Sequence, residues 1–228
     1  MTENKNREDA FWKLISALEK ANVLPHVMII GTWAEWLYSD YFASLTDGKV
    51  FKVDIGKTHD MDVFFRNALL EIEGADKLQG YLKDAGFVPG HDYRGTFFMG
   101  GIEVEFLASQ LGTGPGLVKI PSVGIKAERL KDLDMLDPLT VVSSGYAITI
   151  PTPASYVAHK LFINPERRPE SKRTQDVRKV SVLLASMKDV PGQMDMLEQY
   201  LAELPNDKLE RIRMVAQSNS IPIAPHRD

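Results

Sequence analysis

The stretch Thr58-His59-Asp60-Met61-Asp62-Val63-Phe64-Phe65 decides how the rest of the chain is read. It is apolar enough to be a buried strand, yet two carboxylates stand in its first half. Side chains alternate faces along a strand, so Asp60 and Asp62 share one face, about 6.7 Å apart along the backbone, while Met61 and Val63 share the other. Asp is disfavoured in strands, so two in three positions need a reason. Like charges this close repel each other, and half-burying them is costly. A divalent cation relieves that cost, because Mg²⁺ takes one or two carboxylates together with substrate phosphates. The plainer alternative is an amphipathic strand with its acids in water.

Two further segments bear on that choice. Gly101-Ile102-Glu103-Val104-Glu105-Phe106-Leu107 is a second strand with acids on one face and Ile102, Val104 and Phe106 on the other. If it lies beside the first, Glu105 completes a three-carboxylate set with Asp60 and Asp62, suited to one or two metal ions and in-line phosphoryl or nucleotidyl transfer. For Glu103 and Glu105 alone, a half-exposed strand with its acids in water is the better account. Upstream, Ile29-Ile30-Gly31-Thr32-Trp33-Ala34-Glu35 reads as a strand that ends in glycine and passes into a helix. Thr32 is the expected N-cap, with Glu35 as its capping-box partner. Amide groups at such a helix start favour phosphate, and glycine lets phosphate approach the backbone.

Outward from these motifs the pattern is mixed. Apolar spacing predicts a first helix over residues 8–21, a short strand over 26–30 and an aromatic-rich helix to about residue 45. Residues 45–58 read as a loop or small hairpin. A helix is expected over 68–85, ended by Gly86. Strands are expected over 93–98 and 102–107, joined by Gly100-Gly101. Residues 112–116 (GTGPG) read as a loop. VKIPSVGIK and YAITIPTP read as strands, and AERLKDLDML between them as a short helix. Beyond Pro153 the chain turns helical, over 154–164, 171–188, 193–203 and 206–217, with a loose tail after. The expectation is an α+β fold, a mixed β-sheet flanked by helices over 1–150, followed by a helical domain over 151–228.

Composition bounds the function. The 228 residues contain no Cys, which excludes disulfides, Cys-ligated zinc and thiol catalysis. With 27 Lys and Arg against 31 Asp and Glu, the net charge of −4 repels nucleic acid, so only a local basic patch would meet it. No 18-residue apolar span is present, and membrane association is not expected. The polar N-terminus MTENKNREDAFWK lacks a signal-peptide layout, so the expected location is cytoplasmic.

Taken in order, IIGTWAEWLY, THDMDVFF and GIEVEFL resemble the nucleotidyltransferase superfamily of polymerase-beta-like fold. More closely they look like the bacterial GSLR-type nucleotidyltransferase-like proteins, relatives of the toxins of AbiE-type toxin–antitoxin systems. Residues 149–186 resemble that group's helical region, with Lys160, Arg167, Arg168, Lys172 and Asp176 at the matching positions. The resemblance covers about residues 26–187. It implies that Asp60 and Asp62 bind Mg²⁺ or Mn²⁺, and that Glu105 binds a second metal or acts as base on an acceptor hydroxyl. It also implies that Gly31 and Thr32 hold the β,γ-phosphates of an NTP such as ATP. Lys160, Arg167, Arg168, Lys172 and Arg173 would neutralise the triphosphate or grip a nucleic acid, or else form a solvated helix face. The acceptor would be RNA, protein or a small molecule, and an antitoxin-like partner is implied by the toxin relatives. The chain departs from the pattern in using Gly-Thr at the turn, in an insertion over residues 44–57, and in having Glu, one methylene longer than Asp, as third acid. A non-catalytic nucleotide- or nucleic-acid-binding module of the same fold is the alternative.

Other features weigh less. His59-Asp60 opens an apolar strand, which sets it apart from the all-helical HD-type phosphohydrolases. GTGPG lacks the Lys-Ser/Thr of a P-loop. His159 reads as a helix-surface or capping group, and Trp33, Trp36, Tyr38 and Tyr41 as packing residues. Tyr93 and Arg94 are expected near the rim of the site.

Overall fold

A computed structural model describes residues 2–46, 58–91, 95–110 and 114–223. The expected loop over 45–58 falls mostly outside these residues, as do Tyr93, Arg94, the first two residues of GTGPG and the end of the tail. The described residues form two compact units. The first draws on residues 1–41, 52–134 and 138–151, the second on 42–51, 135–137 and 152–228.

The first unit is a mixed sheet with helices. Helix α1 (Thr2–Lys20) buries Ala10, Phe11, Leu14, Ile15 and Leu18, which recur at helical spacing. A 3₁₀ turn over Leu24–His26, with Pro25 in its first turn, leads into β1 (Val27–Ile30), whose four residues are all buried. Helix α2 (Thr32–Leu45) follows directly. Thr32 lies inside the helix, and the N-cap position falls on Gly31, whose carbonyl accepts from Glu35 N at 3.4 Å. The expected Thr32 cap is therefore one residue out, because Gly31 turns the chain with φ +69. Trp33 and Tyr38 are fully buried. Trp33 stacks on Phe11 at 4.6 Å between ring centroids, a contact worth about 1 kcal/mol beyond the area it buries.

Strand β2 (Asp60–Phe65) pairs antiparallel with β1. The helix expected over 68–85 is shorter. Asn67 Oδ1 accepts from Leu69 N at 3.1 Å and closes a turn, and Gly74 takes φ +80. Helical structure starts only with a 3₁₀ turn at Ala75–Lys77 and α3 (Leu78–Asp84). Next come β3 (Val88–Pro89), β4 (Phe97–Met99) and β5 (Ile102–Ser109). β4 and β5 form the hairpin expected at Gly100-Gly101, and both glycines have positive φ. β6 (Gly116–Ile120) and β7 (Ile125–Leu130) form another hairpin.

The helix expected over AERLKDLDML is thus a correction: its first four residues belong to β7, and only Leu133–Met135 form a 3₁₀ turn. Ile125 and Ala127 are buried while Lys126 and Glu128 are exposed, a period of two that continues the strand. β7 is also paired on both sides, to β6 and β5, which overrides the helix propensity of Ala, Glu, Arg and Leu. A strand not expected from sequence, β8 (Pro138–Ser143), pairs antiparallel with β9 (Tyr146–Pro151) in a separate two-stranded sheet.

The large sheet runs β1-β2-β5-β4-β3, with β7 also on β5. Its other pairings are antiparallel, but β2–β5 and β5–β7 are parallel. The second unit contains α4 (Pro153–Ile163), α5 (Glu170–Lys188), α6 (Gln193–Glu203) and α7 (Asn206–Ser218). Thr152 caps α4 through its Oγ1, which accepts from Ser155 N at 3.2 Å, and Pro153 occupies the first turn, where no N–H is needed. Among the described residues no helix is long and apolar enough to cross a membrane.

Candidate active site

The parallel pairing of β2 with β5 places the acids. Asp60 stands opposite Glu103 and Asp62 opposite Glu105, while Met61 pairs with Val104 and Val63 with Phe106. The apolar set is buried. The acids therefore share the other face, on neighbouring strands whose spacing is about 4.8 Å. Burial of Met61, Val63, Val104 and Phe106 is what fixes this register, since a slip of one residue would drive the carboxylates into the core. At the entrance, Glu103 N donates to the His59 carbonyl at 2.7 Å. His59 Nδ1 stands 3.2 Å from the Gly101 carbonyl oxygen, a bond that needs the proton on Nδ1.

On the other side of β2, Asp62 stands opposite Ile30, the last residue before Gly31. A Cβ on Gly31 would lie 2.5 Å from Asp62 Oδ2. The strand-to-helix turn and the acid strand therefore meet at closest approach, and only glycine leaves room for the carboxylate.

Glu105 occupies a fork in the sheet. On its side away from β2, β4 pairs with β5 only from Ile102 to Val104, and β7 only from Leu107 onward. Gly95 crosses the gap, close enough that a Cβ there would stand 2.7 Å from the Lys126 carbonyl oxygen. Burial in this fork, and then the charges of Asp62, Glu103, Asp60 and Glu128, push the Glu105 carboxyl up to about 7. Glu128 has no place among the sequence candidates, because its segment reads as a helix. The signal that finds it is the two-residue alternation of Ile125 to Leu130.

The donors here are hard oxygens brought together on one face of the sheet, beside a glycine cradle. That chemistry fits a divalent cation. Among the described residues, however, no three His, Asp or Glu side chains are grouped tightly enough to enclose a metal ion.

The basic residues singled out in the sequence lie on the helical unit. Lys160 Nζ donates to Asp176 Oδ1 at 2.9 Å, and Arg167 Nε to Asp176 Oδ2 at 3.2 Å. Asp176 is 4% exposed, so both of its oxygens are satisfied in the interior by these two cations. Arg173 lies 3.8 Å from Glu170, and its carbonyl accepts from Asn164 Nδ2 at 2.9 Å. Arg168 and Lys172 are exposed. His159 is buried, which corrects the surface reading. Its Nε2 has no hydrogen-bond partner. Burial, with Lys160, Arg167 and Lys208 nearby, lowers its pKa to about 3, so the ring is neutral.

A mixed sheet carrying opposed acid pairs beside a strand–Gly–helix turn, followed by helices, is an α+β fold. The nucleotidyltransferase family model matches residues 10–203, and the chain belongs to that family. No curated protein matches it. Among solved structures it is similar to the crystal structure of ANT(2")-Ia in complex with adenylyl-2"-tobramycin, at 13% identity and a TM-score of 0.47, over 92% of this chain and 96% of that one. The solution structure of the antibiotic-resistance factor ANT(2'')-Ia gives 13% and 0.43, over 92% and 91%. An antigenic nucleotidyltransferase-like protein from Paracoccidioides brasiliensis gives 14% and 0.43, over 96% and 95%.

Proposed function

We propose that the chain is a divalent-metal-dependent nucleotidyltransferase that moves NMP from an NTP onto an acceptor hydroxyl. The observation that carries this reading is the register of Asp62 on Glu105, on the acid face beside Gly31. Family membership and the likeness to GSLR-type and AbiE-type sequences add support.

In this reading the new bond joins the acceptor oxygen to the α-phosphorus, and the bond to the departing pyrophosphate breaks. Asp60 and Asp62 would hold Mg²⁺, with Glu105 as a further ligand. A bound ion there supplies neutralisation of the triphosphate charge. Gly31 leaves the backbone open to phosphate at the start of α2. Glu105, partly withdrawn from water, is positioned to take the acceptor proton if it is not occupied as a ligand. Lys160 and Arg167 serve first to hold Asp176, while Arg168 and Lys172 are exposed on the helical unit.

The test is titration calorimetry of each Mg·NTP with the wild-type chain and with Asp60→Asn/Asp62→Asn. Wild-type binding that the double variant loses is expected. Equal binding by both would overturn the reading.

A further inference from the structure

Past the fork at Glu105 the acid face continues onto β7 and β6. Leu107 of β5 pairs with Glu128, and Glu128 with Leu117. Paired residues share a face, as do residues two apart along a strand, so Glu128 stands on the face of Glu105. The charge of Glu128 acts on Glu105, in keeping with that placement. Two residues back along β7 is Lys126, and Lys119 of β6 is its direct partner. Both lysines are exposed, on this same face. β7 runs parallel to β5, so Lys126 stands level with Glu105, across the gap that Gly95 spans.

Like charges directly opposite each other on an antiparallel pair, with Cα atoms about 5 Å apart, repel. Among the described residues neither lysine has an ion-pair partner. Lys119 can be accounted for as the guard of an edge strand. Lys126 cannot, because β7 is covered by β6 on one side and by Gly95 and β5 on the other. Attack and departure at a phosphorus lie in line, on opposite sides of it. In the proposed transfer the triphosphate enters at Gly31 and α2, on the β1 side of Asp62. The acceptor then comes from the β7 side of Glu105, where the two lysines stand. Beyond the class of reaction, and resting on that reading, we propose that Lys119 and Lys126 bind a phosphate monoester carried by the acceptor and so hold its hydroxyl toward Glu105. Two ammonium groups match the charge of a phosphate dianion. The hydroxyl makes the new bond to the α-phosphorus, and the monoester is an unchanged handle. A nucleic-acid strand on this face would bring a charge at every phosphodiester past Glu128 and Glu105, with only two lysines to offset it. The class of acceptor is therefore a small hydroxylated phosphate monoester.

The test uses the full chain and four probes: glycerol 3-phosphate, glycerol, pyrophosphate and a single-stranded RNA decamer. Binding is followed by NMR, first without nucleotide and then with Mg²⁺ and the α,β-methylene analogue of each NTP filling the nucleotide site. Glycerol 3-phosphate is expected to bind at least about tenfold more tightly than glycerol, and the decamer weakly. Lys119→Gln and Lys126→Gln should each lose about tenfold in glycerol 3-phosphate binding, and Lys126→Arg should retain it. Affinity for the nucleotide analogue, read by calorimetry, should not change in any of the three. No binding of glycerol 3-phosphate by the wild type, or equal binding by the two Gln variants, would overturn the inference. So would a Gln variant that loses pyrophosphate or the decamer in place of the monoester, since the lysines would then serve the leaving group or a nucleic acid. Failure of the wild type to bind any nucleotide analogue would instead sink the transferase reading, and the separate titrations tell the two failures apart.

Discussion

Asp62 Oδ2 lies where a side chain on Gly31 would begin: a Cβ there would stand 2.5 Å away. The first acid strand and the glycine turn are therefore one unit of geometry. Gly31→Ala must move the Asp62 carboxylate, and it also forces a left-handed φ of +69 on an L-residue, at about 1–2 kcal/mol. The expected result is a folded protein with a slightly lower melting temperature and loss of Mg·NTP binding, read by calorimetry. Asp62→Ala in the same background should restore the lost stability in part but not the binding.

Glu105 is held protonated up to about pH 7 by burial and by its acidic neighbours, against an ordinary value of 4.5. The folded state binds this proton more tightly than the unfolded state, so stability is favoured on the acid side and falls as pH rises from about 4.5 to 7. Glu105→Gln should raise the melting temperature of the metal-free protein at pH 8 and leave it nearly unchanged at pH 4.5. Thermal melts across that range check the sign, and a stabilisation independent of pH would contradict it.

His159 behaves in the opposite sense. Its folded pKa of about 3 lies below the ordinary 6.5, so the unfolded state takes up the proton first. Stability is fully present above pH 6.5 and declines as pH falls toward 3. In His159→Gln the decline between pH 6.5 and 4.5 should flatten, measured by urea unfolding at each pH.

Asp176 joins Lys160 of α4 to Arg167 in the turn before α5. Asp176→Ala leaves the Lys160 ammonium with little water and no counter-ion, and should cost about 3 kcal/mol of stability. Asp176→Asn retains an acceptor and should cost less. Far-UV circular dichroism during denaturation reports the helical loss. A cost below about 0.5 kcal/mol, the scale of a surface pair, would show that the interior bridge contributes little.

The acid strands were legible because their alternation is strict: Asp60, Asp62, Glu103 and Glu105 interleave with residues too apolar to face water. The turn at Gly31 was legible for a similar reason, as glycine followed at once by a helical pattern. β7 was not, because Ala127, Glu128, Arg129 and Leu130 favour helices locally, and only pairing to two other strands holds them extended. The start of α3 was misplaced because Asn67 and Gly74 interrupt an otherwise helical run with turns. His159 gave no sign of burial, since its exposure depends on helices far along the chain. The approach of Asp62 to Gly31 and the fork that shelters Glu105 arise from pairings between distant strands, which no local pattern encodes.

The parity of β2 and β5 also constrains mutation of the chain. Deleting Phe106 would leave Glu105 in place but move every later side chain of β5 to the opposite face, so Leu107 would take the buried position of Phe106 and Ala108 that of Leu107. Indels in this segment therefore break the protein before they retune its chemistry, and only point substitutions can silence or redirect the acids while the scaffold survives.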